Sequence, residues 1–197
     1  MQYVHGLKMA LYSFLIVFVL FPSLNAQTLD LSKGGGVEFN AVGKPSMISI
    51  TGTGAKATGQ LALKDGSASG EFIVDLNSFT TDMDTRDEHM KEKYLETSKE
   101  GFDKAILKIS QKGLDIKSFP LEGTWAPKNL KGLLTLHGVT KEVLLIPNVS
   151  FNGASAKGEV SFKIKLQDYA IEIPSFAGVT VADEVTAVVK IDDKVIR

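Results

Sequence analysis

The sequence predicts an all-β fold: an eight-stranded antiparallel barrel with one helix inserted between strands. Three observations carry that prediction. Apolar residues recur at every second position along most of the 197-residue chain, the period of a strand with one buried face. The dipeptides Asp65-Gly66 and Asn152-Gly153 tolerate positive φ and mark tight hairpins. Residues 85–96 break the period of two with a polar run of helix formers.

Ahead of the strands stands a leader. Lys8 precedes an uncharged apolar run, MALYSFLIVFVLF at 9–21, and Pro22, Ser23 and Asn25-Ala26 follow before the chain turns polar at Gln27. This is the layout of a secretory signal peptide cut after Ala26. The run is shorter than the ~20 apolar residues that span a bilayer, so the mature chain is expected to keep no stable membrane span. Residues 27–197 then form one domain, because no linker, long repeat or low-complexity tract divides them. A secreted chain without cysteine fits a bacterial periplasm or the cell exterior.

Strands are expected at 37–42, 46–52, 59–64 and 71–76, the last with Phe72, Val74 and Leu76 on one face. Asp65-Gly66 joins the third to the fourth. The helix follows at 85–96, TRDEHMKEKYLE. Its Thr85 and Glu88 have capping-box spacing, and Met83, Met90 and Tyr94 share one face with Asp87 between. Further strands read at 104–110, with Ala105, Leu107 and Ile109 together, and at 131–138 and 143–151. Asn152-Gly153 leads into 158–166. There Val160, Phe162, Ile164 and Leu166 face one way, and Glu159, Ser161, Lys163 and Lys165 the other. The last strand, 184–192, alternates Val185, Ala187, Val189 and Ile191.

Many antiparallel strands joined by short turns favour closure, which removes exposed edges. Eight strands enclose an interior that side chains fill or that holds one small ligand. An outer-membrane barrel would turn its apolar face outward between aromatic girdles. Here the polar faces carry lysines and glutamates, and the girdles are missing.

A formal net charge of -1 offers no basic field for nucleic acid. The absence of cysteine excludes disulfide scaffolds, thiol catalysis, iron–sulfur clusters and a lipidated N-terminal cysteine. Several enzyme motifs fail on one residue. GAKATG at 54–59 lacks the Lys and Ser/Thr that complete a phosphate loop. GSASG at 66–70 has alanine where a nucleophile elbow needs serine. Asp82, Asp84 and Arg86 begin like a calcium loop that Arg86 and Lys93 defeat. The mature chain keeps two histidines, His89 and His137, far apart in sequence. No metal site, cofactor or catalytic residue is expected.

Three stretches remain: NSFTTDMDTRDEHMKEKY at 77–94, with its core of Arg86, Asp87, Glu88 and His89; GLLTLHGVTK at 132–141; and LQDYAIEIPSFAGVTVADEV at 166–185. In order and spacing they resemble the YceI family, polyisoprenoid-binding, lipocalin-like proteins of bacterial periplasms. Ala170 stands where that family often has glycine.

The resemblance implies a lipocalin-like barrel with a helix over one end, binding a long isoprenoid or other amphiphilic lipid in its lumen without catalysis. Each methylene buried contributes ~0.8 kcal/mol, so an apolar lumen needs few polar groups, placed at its mouth, to orient a head. The ligand-lining residues it implies are Phe72, Val74, Met90, Tyr94, Leu134, Leu136, Phe162, Ile164, Tyr169, Ile171 and Phe176. Arg86, His89 and His137 are the implied polar contacts. Two other readings stand beside it. One is an interaction or stress-response module whose barrel is filled by side chains. The other is an enzyme acting on such lipids through His89 or His137 with Asp87 or Asp168. The sequence leaves open whether two chains pair as a homodimer.

Overall fold

The computed structural model describes residues 26–45, 48–176 and 178–196. The expected signal peptide, apart from Ala26, lies outside the described residues. The strands in chain order are β1 (Gln27–Asp30), β2 (Gly35–Lys44), β3 (Ile48–Lys64), β4 (Ser67–Asp75), β5 (Lys104–Gln111), β6 (Glu122–Trp125), β7 (Leu130–Leu136), β8 (Val139–Asn152), β9 (Ser155–Lys165), β10 (Ser175–Phe176), β11 (Val179–Val181) and β12 (Glu184–Ile196). The ring runs β2-β3-β4-β5-β7-β8-β9-β12, every pair antiparallel, and β12 pairs back onto β2 to close it. It is an eight-stranded antiparallel barrel, as the alternating pattern predicts.

Two staves are composite. β1 takes over from β2 between the same two neighbours, with Leu29 opposite Leu61 of β3 and Val195 of β12. The break at residues 31–34 stays attached through Leu31 N–H, which donates to Gly59 O at 2.8 Å. β6 continues the line of β7 along β8, with Trp125 opposite Val149 and Leu130 opposite Leu145. The β10–β11 hairpin extends the other end of β2, with Thr180 opposite Lys44. These short pieces hold too few residues for alternation to reveal them.

The separate strands expected at 46–52 and 59–64 are one strand, β3; residues 46–47 lie outside the described residues. Gly52 and Gly59, which bound the two expected strands, are places of close approach. A Cβ at Gly52 would stand 1.9 Å from Phe39 Cε1, and one at Gly59 would stand 2.0 Å from Glu71 O.

The expected helix forms as α1 (Asp84–Glu88), which widens into a π-helical turn at His89–Tyr94. Its start differs from the expected capping box. Met83 is the N-cap, with no side-chain cap bond, and Thr85 lies inside the helix. The anchor is Asp87, whose carboxylate accepts from Thr80 Oγ1 at 2.6 Å, Thr81 N–H at 2.7 Å and Thr81 Oγ1 at 2.5 Å. A carboxylate one turn into the helix thus ties it back to the segment leaving β4.

One end of the barrel is solid. Leu63, Ala68, Leu114, Phe119 and Phe151 are all buried there. The Phe119 ring meets Trp125 edge-on at 5.3 Å and stacks on Phe151 at 5.5 Å. Phe119 N–H donates to Gln27 Oε1 at 2.6 Å, and Leu114 N–H to Gly66 O at 2.9 Å, which pins the plug across the β3–β4 turn. The helical segment lies over the opposite end.

Candidate functional site: an apolar lumen

Above the aromatic floor the lumen is not filled by side chains. A cavity of about 520 Å³ extends from Trp125 to the helical segment, within the range of small-ligand sites. The inward positions of the staves line it. Phe72 and Val74 come from β4, Leu134 and Leu136 from β7, Phe162 and Ile164 from β9, and Ile171 from the segment after β9. His89, Met90 and Tyr94 face it from the π turn, and Arg86 from α1. The sequence reading overlooked Trp125, Thr81 and the Phe39–Phe79 edge-to-face pair, centroids 5.2 Å apart, on the same wall. Inward parity along β2 offered a signal for Phe39. Trp125 sits in a strand too short to show parity.

Polar atoms on the wall gather at the mouth, where Thr81, Thr85, Arg86, His89, Tyr94 and Ser175 stand. Arg86 Nε donates to Thr81 Oγ1 at 2.7 Å, and its Nη2 donates to Thr81 O. Tyr94 OH accepts from Ser175 N–H at 3.2 Å, so the helical segment is tied to the β10–β11 strap across the opening. Burial would push the Asp87 carboxyl up. The hydrogen bonds from Thr80 and Thr81, with Lys91 adding, outweigh it and hold the group below its usual range.

Two of the residues implied by the resemblance, Tyr169 and His137, stand apart from this wall. The Phe176 side chain lies outside what is described. Tyr169 ends the 3₁₀ turn Leu166–Tyr169 and is 1% exposed. Burial, and then the Asp168 charge, push its phenol up to about 12, and its hydroxyl has no hydrogen-bond partner among the described residues. His137 occupies the β7–β8 turn. Its Nδ1 is 3.1 Å from Tyr169 O, its Nε2 is 3.0 Å from Glu96 Oε2, and its ring packs on Phe102 at 4.4 Å. Glu96 also accepts from Lys99 Nζ at 2.5 Å, and Lys99 and His137 together hold its carboxyl below the usual range. Three non-glycine residues with positive φ meet here: Glu96 (49°), His137 (49°) and Ala170 (55°). The last explains why glycine suits the Ala170 position.

The pairing of His137 that an enzyme reading would use does not assemble. The carboxylate at His137 is Glu96, not Asp168, and the Asp87 oxygens are taken by Thr80 and Thr81. Among the described residues no group of three His, Asp or Glu could hold a metal, and no helix is long and apolar enough to cross a membrane.

With that geometry in hand, comparison places the fold. The family model described as YceI-like domain matches residues 34–192. A polyisoprenoid-binding domain from Saccharophagus degradans is 18% identical with a TM-score of 0.58, covering 86% of this chain and 98% of its own. BcnA of Burkholderia cenocepacia is 18% identical with a TM-score of 0.60, covering 86% of this chain and 99% of its own. No curated protein sequence matches the chain significantly.

Proposed function

The chain belongs to the YceI-like family, and from that premise we propose that it is a binding protein that carries or stores a long apolar, isoprenoid-type lipid in its lumen. The observation that carries this reading is the cavity itself: about 520 Å³, apolar from floor to rim, with its polar groups at the mouth. Such a wall binds a chain through area removed from water and needs little directional chemistry. The Saccharophagus neighbour, named for polyisoprenoid binding, supports the same ligand class. A barrel filled by side chains, as an interaction module would have, does not fit this lumen. In this reading Arg86 and His89 meet the head, and Phe72, Phe162 and Leu134 hold the tail. Catalysis plays no part.

The reading includes export. The leader at 9–21 directs secretion, removal after Ala26 leaves a domain of residues 27–197, and the carrier works in the periplasm or outside the cell.

Native mass spectrometry of protein purified from its host compartment tests both halves. The expected spectrum shows a chain beginning at Gln27 with an adduct that extracts into organic solvent. Ligand-free protein that also takes up no added geranylgeraniol would overturn the carrier reading. An intact N-terminus on protein recovered from cytoplasm would overturn export.

A further inference from the structure

Among the described residues Arg86 is the one permanently charged side chain on the cavity wall, and no Asp or Glu stands there with it. None of the ion pairs among the described residues includes Arg86. The nearest carboxylate in sequence, Asp87, is turned to Thr80 and Thr81 instead. Buried Thr81 fixes the guanidinium from one side, through Nε and Nη2. A guanidinium carries five N–H donors, and these bonds use two. A half-buried cation beside an apolar wall gains most from an anion it can bind in fork geometry. An alcohol or an amide leaves its charge uncompensated.

Below the rim the wall is apolar. On β12 it runs from Val185 to Ile191, ~20 Å along the strand and ~15 Å along the tilted barrel axis. A tail can fill that depth while its head stays at Arg86.

We propose that the occupant of the lumen carries an acidic head, a carboxylate or a phosphate monoester, and that Arg86 is the residue that selects it. This rests on the lipid-carrier reading and narrows its ligand class. Thr85 and His89, on the same stretch of wall, frame the head. The selectivity comes from charge and not from tail shape.

The experiment titrates the delipidated full chain at pH 8 with dodecanoic acid, dodecyl phosphate and dodecanol. At least one of the two anions is expected to bind about tenfold or more tighter than the alcohol, the scale of a charge-assisted hydrogen bond. Arg86→Gln should cut that preference about tenfold, and Arg86→Lys should restore part of it. Equal affinity for the anions and the alcohol in the wild type overturns the proposal and leaves the carrier reading standing. So does an undiminished preference in Arg86→Gln. Failure of all three probes to bind sinks the carrier reading, and this proposal with it.

Discussion

The Nε2 of His137 lies 3.0 Å from Oε2 of Glu96, and its Nδ1 lies 3.1 Å from the carbonyl oxygen of Tyr169. One imidazole therefore joins the end of the helical segment over the mouth to the turn that follows β9. The ring thus bridges the two elements through its two nitrogens, one on each side. Removing it in His137→Ala should cost about 2 kcal/mol of stability, because a buried bridge is lost and its ring packing on Phe102 goes with it. Urea unfolding checks this, and an unchanged midpoint would contradict it.

Glu96 gives the bridge a pH signature. Its carboxyl is held below the ordinary value of 4.5 by Lys99 and His137, so the fold favours the ionised form. The stability this brings is complete above pH 4.5 and lost as pH falls through the lowered value. Glu96→Gln should melt below the wild type at pH 7, and the gap should close as the pH is lowered from 4.5 towards 3. A constant gap across that window rules the linkage out.

Asp87 anchors the helix from within by accepting three bonds from Thr80 and Thr81. Asp87→Asn replaces one oxygen by a donor that faces donors. A loss of about 2 kcal/mol follows, concentrated in the helical segment. Amide hydrogen exchange should show faster exchange over residues 81–94 than elsewhere in the barrel. Protection that falls evenly across all strands would count against a local anchor.

Ala187 sits on the lumen wall between Phe39 and Phe162 on neighbouring strands. Ala187→Phe places a ring in the space the tail needs. Affinity for dodecanoic acid should drop about tenfold or more, the cost of excluding a few methylenes. The melting temperature should hold or rise, as cavity-filling changes tend to do. Retained affinity would mean that the tail lies elsewhere.

Tyr169 carries a buried hydroxyl without a hydrogen-bond partner among the described residues. Tyr169→Phe removes an unsatisfied group and should gain about 1 kcal/mol. The variant should also flatten the alkaline limb. The wild-type phenol is raised from 10.0 to about 12 in the fold, so its contribution is whole below pH 10 and declines as pH rises towards 12. Thermal melts between pH 9 and 12 distinguish the two chains, and superimposable alkaline limbs would dispose of the idea.

Much of this was legible in the sequence, for reasons that can be named. Alternation at Val160, Phe162 and Ile164 gives the inward face of β9 directly, because a strand's period is two and its outer positions are polar or charged. The cavity wall at Leu134 and Leu136 follows the same way. Alternation does not reach what depends on packing between strands. Gly52 and Gly59 bound the two expected strands, yet they make room for the Phe39 ring and for the close approach of β4. Trp125 and Phe119 close the floor from segments flanked by prolines, where no period exists to read. His137 lies on a turn whose positive φ aims it away from the lumen, towards Glu96. Its partner is 41 positions away and cannot be found by spacing.

The aromatic floor makes the lumen a blind pocket and not a through-channel. If the lumen carries a lipid as proposed, its chain enters tail first and leaves head first, past the same rim. A tail longer than the pocket is deep would then stand out of the mouth. Handing the cargo to a membrane or a second protein then means presenting that one face to it, helix and strap together. In that reading the opening, more than the wall, would set how fast cargo is exchanged.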